Sequence, residues 1–169
     1  MAFWKVLFPN NEPRQENSTL EQKLNSQFPE MDHEQLAITA SIAGLLGRVA
    51  YVDMNIHESE VTFMKKALKE ECELNDQQVE TIAKITVEDI NELAGIENHF
   101  YTAVLKEALS ESERFNILKC LFAMAASDDN ASNEESEEIR TIAHGLALGH
   151  KHFVSAKSTV KEKLGALKK

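Results

Sequence analysis

Six oxygen-bearing side chains stand in a repeated order along the chain: Asp53, Asn55 and Glu60, then Asp128, Asn130 and Glu135, with Asp129 adding a carboxylate to the second set. Each set fits D-x-N-x-x-x-x-E, and each follows an apolar run, in Ala50–Glu60 (AYVDMNIHESE) and in Ala125–Glu135 (AASDDNASNEE). Carboxylates and an amide carbonyl are the hard oxygen donors that Ca²⁺, Mg²⁺ or Mn²⁺ prefer. Grouped without lysine or arginine, they create a negative potential that a cation relieves. A divalent metal is therefore expected at Asp53, Asn55, Glu60, Asp128, Asp129, Asn130 and Glu135, with Glu58, Glu134 and backbone carbonyls as further donors.

The spacing is not that of an EF-hand, whose loop of about twelve positions needs a glycine at the sixth and a bidentate glutamate at the last. Since Ca²⁺ takes about 6–8 oxygens, either water completes each corner or the two corners face each other and share an ion. The spacing leaves both open. A purely structural reading stands beside the metal. Ser132 with Glu135 is an S-x-x-E capping box, Glu58 and Glu60 suit a helix N-terminus, and Asp or Asn suit a tight turn. Repetition of the whole pattern is what favours the cation.

Other chemistry is thinly represented. His150 and His152 flank Lys151 as H-x-H, but zinc wants three or four converging ligands; His57, between Asn55 and Glu58, is expected to cap a helix or face solvent. G-x-S-x-G, a glycine-rich phosphate loop and H-E-x-x-H are all missing, so the chain is expected not to be an enzyme and to use no organic cofactor. Cys72 and Cys120 lie inside apolar helical patterns without C-x-x-C spacing and read as reduced core residues of a cytoplasmic protein.

The elements that must position the corners are helical. Apolar residues recur at three and four, seldom at two, and hairpin dipeptides are lacking, so the fold class is all-α, a bundle of about seven helices. A short helix from Thr19 to Phe28 stops at Pro29, and Asp32 with Gln35 then forms a D-x-x-Q box opening a long helix to Val52. That helix is apolar on most of its circumference, which requires other helices around it. Helices follow from Glu58 to Glu71, from Asn75 onward, and through GIENHFYTAVLKEAL with Phe100, Val104 and Leu105 inward. Ser110 with Glu113 opens a second central helix, ERFNILKCLFAMAAS; another covers Glu134 to Leu146; and a tail helix turns Phe153, Ala156, Val160, Leu164 and Leu167 toward the body. Each acidic corner thus joins a buried helix to the first turn of an amphipathic one, giving two pseudo-repeated halves.

With 169 residues, the chain suits one domain: residues 1–18 as a polar and aromatic lead-in and 19–169 as the helical domain, with its core at 32–153 and a basic tail helix at 151–167. The net charge of −10 opposes nucleic-acid binding, although six lysines face a single acid, Glu162, from Lys151 to Lys169. An acidic body with a basic tail can instead dock protein partners. The apolar run LAITASIAGLLGRVAYV contains Thr39, Ser41 and Arg48, which argues against a membrane span.

The segments LLGRVAYVDMNIHESEVTFMKKAL and ILKCLFAMAASDDNASNEESEEIRTIAHGLAL resemble the two halves of TerB-like proteins, the tellurite-resistance TerB family that includes the amino-terminal domain of the DjlA co-chaperone. The family pattern A-x-A-D-G-x-[IV]-x-x-x-E is met at Ala50, Asp53, Ile56 and Glu60 and at Ala125, Asp128 and Glu135, within a resemblance running from Asp32 to Phe153. Met54 and Asp129 replace the glycine and Ala131 the branched apolar residue, so a different loop geometry is expected there. The resemblance implies an all-helical cytoplasmic protein with a divalent-cation site at the acidic corners, a role in stress response near membranes or partner proteins, and no enzymatic activity.

Two other readings remain: a structural protein-interaction module without metal, and a membrane-surface adaptor. The latter would use Phe3, Trp4, Leu7 and Phe8 around Lys5, since Trp and Phe suit interfaces, together with the lysine-rich tail. On the adaptor reading, deletion of residues 1–10 reduces the membrane-associated fraction; unchanged fractionation removes the aromatic anchor.

Overall fold

A computed structural model describes residues 18–93, 98–127 and 131–167; of residues 91–93, 163, 164, 166 and 167 only the backbone is described. The aromatic residues Phe3, Trp4, Leu7 and Phe8, and three of the acidic-corner residues, Asp128, Asp129 and Asn130, lie outside these ranges. Among the described residues there are eight helices and no strand: α1 (Thr19–Gln27), α2 (His33–Ala50), α3 (Glu58–Cys72), α4 (Asp76–Leu93), α5 (Asn98–Ala108), α6 (Glu111–Ala125), α7 (Asn133–Gly145) and α8 (His150–Leu167). The count exceeds the expected seven. Val87 to Leu93 continues α4, and the largely polar α1 is a full member because Leu20 and Leu24, one turn apart, are both completely buried.

Helix α2 is the axis of the bundle, packing against α1, α3, α4, α5, α6 and α7. Leu36, Leu45, Leu46 and Val49 are buried on it together with Ala40, Ala43 and Ala50, so apolar surface is covered around most of its circumference. Its start differs in one respect from the expected D-x-x-Q box. Asp32 Oδ2 accepts from the N–H groups of Glu34 and Gln35, at 3.1 and 3.3 Å, but the Gln35 side chain does not reach back. Gln35 Nε2 donates instead to the Cys72 carbonyl at 3.4 Å, where it serves the carboxyl end of α3.

Small residues set how closely the neighbours approach. A Cβ added at Gly44 would overlap the ring of Tyr101 on α5, and one added at Gly47 would come within 2.8 Å of Thr86 Cγ2 on α4. Glycine inside a helix costs about 1 kcal/mol relative to alanine, and here that cost is exchanged for close packing of large side chains. Tyr101 is thereby the buried aromatic of α5, with Val104 and Leu105, whereas Phe100 is only half-buried. The spacing i, i+3, i+4 from Tyr101 defines the inward face, one residue on from the expected position.

The second central helix, α6, packs on α2, α3, α5, α7 and α8. Helix α8 docks on α6 and α7 through Phe153, Ala156 and Val160, with the Phe153 ring edge-on to Phe122 at 5.1 Å and the Arg140 guanidinium 4.4 Å from its centre. Both cysteines are free. Burial pushes the Cys72 thiol up to about 11, and burial together with the neighbouring Glu71 carboxylate pushes Cys120 up to about 12, which leaves both protonated and poorly nucleophilic. Among the described residues no helix is long and apolar enough to cross a membrane.

Gly44→Ala should lower the free energy of unfolding in urea by about 1–3 kcal/mol, because the tightly held Tyr101 ring must move. Gly149→Ala, which meets nothing within 4 Å, should stay within about 0.5 kcal/mol of the native sequence.

Candidate functional site at the acidic corners

The first corner forms where α2 runs out of apolar residues. Tyr51 N–H still donates to the Gly47 carbonyl at 3.0 Å, and Met54 N–H closes back on the Tyr51 carbonyl at 2.8 Å. This tight reversal places Met54 at φ 64°, in the left-handed region, with its side chain 80% exposed. At this position the backbone takes a conformation that glycine adopts without strain. Methionine bears that strain with an unbranched side chain pointing into solvent.

Asp53 and Asn55 are both exposed. Asp53 Oδ1 accepts the Asn55 N–H at 2.9 Å, the Asx arrangement that stabilises a turn, and Oδ2 lies 3.9 Å from His57 Nε2. Glu60 is different: it is only 2% exposed, and its Oε2 accepts the His57 N–H at 2.8 Å at the start of α3. Glu58, in the same turn, faces solvent.

The second corner repeats this use of its glutamate. Ser132 Oγ accepts the Glu135 N–H at 3.1 Å, and Glu135 Oε2 accepts the Ser132 N–H at 2.6 Å, so the expected S-x-x-E box is formed and Glu135 is 6% exposed. Glu134 faces solvent. Among the described residues, which exclude Asp128 and Asp129, no three His, Cys, Asp or Glu side chains are grouped as a metal would require.

A third capping box provides an internal comparison. At the start of α6, Glu113 Oε2 accepts from Ser110 N–H at 2.8 Å and from the Ser110 hydroxyl at 2.7 Å; the hydroxyl first, then the backbone bond, holds its carboxyl below the usual value. Glu113 does this while exposed. Glu60 and Glu135 make the same kind of cap hydrogen bond from buried positions.

An ion-pair cluster that sequence reasoning missed lies beside the corners. Arg48, in the last turn of α2, donates from Nε to Glu138 Oε1 at 3.1 Å and from Nη2 to Oε2 at 3.4 Å. Asn98 Nδ2, at the first residue of α5, donates to the same Oε1 at 2.6 Å. The available signal was a lone arginine in an otherwise apolar helix, which must find a partner. The histidine pair, by contrast, is occupied locally: His152 Nδ1 accepts the Gly149 N–H at 3.3 Å and its Nε2 is 3.4 Å from Glu111, while His150 stacks on Phe153 with ring centres 6.4 Å apart.

These features define an all-helical module in which the helix following each central helix starts with a buried capping glutamate. The family model described as Tellurite resistance protein TerB matches residues 35–158, and the chain belongs to the TerB family. No curated protein and no solved structure matches it.

Met54→Gly should raise the free energy of unfolding by about 0.5–1 kcal/mol, the left-handed penalty relieved less the extra unfolded-state entropy of glycine. Met54→Val, branched at Cβ, should lower it; urea unfolding of the pair checks both signs.

Proposed function

We propose that this TerB-family protein is a non-enzymatic cytoplasmic stress-response module that binds a divalent cation, Ca²⁺, Mg²⁺ or Mn²⁺, at paired acidic loops and couples its occupancy to the docking of a partner protein. The ligands come from Asp53, Asn55 and Glu60 in one half and Asp128, Asp129, Asn130 and Glu135 in the other, two pseudo-repeated helix–loop–helix units. The observation that carries this reading is the twice-repeated Asp, Asn and Glu order within the stretch matched by the TerB family. Carboxylate and amide oxygens repeated at the ends of two buried helices are the hard donors that a divalent cation takes. Membership of a family described by tellurite resistance is what supports the stress-response part of the reading, and no organic cofactor or nucleic acid is part of the proposal.

A second reading, a protein-interaction module without metal, draws on the cap hydrogen bonds that already engage both glutamates. Thermal unfolding of metal-stripped protein separates the two. A cation that binds only the native state raises the melting temperature, by about 2.7 kcal/mol of added stability at a hundredfold excess over Kd. The native sequence should respond to millimolar Ca²⁺, Mg²⁺ or Mn²⁺, and the Asp53→Ala, Asp128→Ala double variant should not. If no ion moves the native sequence, the corners are capped turns and the metal-free reading holds.

A further inference from the structure

Helices α1 and α5 both pack on α2, but among the described residues they do not pack on each other. A furrow is left between them. It holds about 230 Å³, below the roughly 300–1,000 Å³ usual for small-molecule pockets, and so suits a protein side chain better than a metabolite. Phe100, Tyr101, Ala103 and Val104 of α5 line one side, Ser18 and Glu21 at the start of α1 line the other, and Ser41 of α2 lies between. The serine hydroxyls are already engaged: Ser41 Oγ donates to the Ala37 carbonyl at 2.7 Å, and Ser18 Oγ accepts the Glu21 N–H at 3.0 Å. What the furrow offers an occupant is chiefly apolar surface, with the carboxylates of Glu21 and Glu107 in its lining.

We propose that this furrow is the docking site for the chain's own leading segment, with the side chains of Phe3, Trp4, Leu7 and Phe8 as its occupant. The described chain begins at Ser18, a residue of the furrow's own lining, so residues 1–17 start from its edge. Residues 9–17 (PNNEPRQEN) can extend about 30 Å at roughly 3.3 Å per residue, and their Pro and Asn favour turns, so the preceding FWKVLF can reach back. Lys5 is the one charged side chain within that stretch, and its sign complements the carboxylates of Glu21 and Glu107. Seated there, the segment ties α1 to α5 across α2. The furrow is separate from the acidic corners, and its occupancy does not depend on the cation reading.

Trp4 is the chain's only tryptophan, so its fluorescence reports on this segment alone. In the full native chain its emission should lie to the blue of that of the chain unfolded in urea, and acrylamide should quench it severalfold less. Ala103→Arg, at an exposed position of the lining, blocks the furrow and repels Lys5. It should move emission and quenching to the unfolded values while circular dichroism shows the helices intact. Native emission already at the unfolded value overturns the proposal and leaves the furrow to a separate partner. So does a blue shift that Ala103→Arg leaves unchanged, or one lost on dilution, which marks a second copy of the chain as the source of the occupant. Should Ala103→Arg fail to fold, Phe100→Ala decides: greater quenching of Trp4 supports the docking, and unchanged quenching overturns it.

Discussion

The structure depends on covering helix α2. Six other helices pack on it, and because an α-helix gathers such a ring of neighbours only where side chains let backbones approach, its glycines and alanines matter as much as its leucines. Gly44 gives its place to the Tyr101 ring and Gly47 to Thr86 and Ile90. The burial of Leu45, Leu46 and Val49 follows from that approach.

A buried helix has to end, and the way it ends creates the acidic corner. Where α2 leaves the core the chain reverses tightly, Met54 takes a left-handed conformation, and Asp53 closes an Asx turn on Asn55. The next helix then starts with a glutamate returning to its own N-terminal backbone. Helix capping draws on the same atoms that the proposed cation would use, since both need oxygens aimed at positive charge. The three capping glutamates differ in exposure to solvent: Glu113 caps from the surface, while Glu60 and Glu135 are buried.

Polar links tie together helices that are remote in sequence. Arg48 reaches Glu138 and Asn98, Lys157 donates to Ser136 at 3.0 Å, and Arg140 lies over Phe153, so α7 is held by α2, α5 and α8 through side chains remote in sequence. The basic residues of the tail are thus partly used internally. Lys157 helps seat α8, while Lys151 and Lys161 remain exposed.

Sequence alone determined the helical class, the order of elements and the identity of both central helices, because periodicity of three to four and capping boxes such as Ser110 with Glu113 are local and leave their mark within a few residues. It also marked the acidic corners and the TerB resemblance, since the repeated Asp, Asn and Glu lie in two short segments. Only the tertiary structure decided that Tyr101 and not Phe100 enters the core, that Gln35 serves α3 instead of its own helix, that Glu60 and Glu135 are buried while Glu113 is not, and that Arg48 pairs with Glu138. Each of these is set by which helix lies opposite, a relation between residues tens of positions apart that local periodicity does not encode.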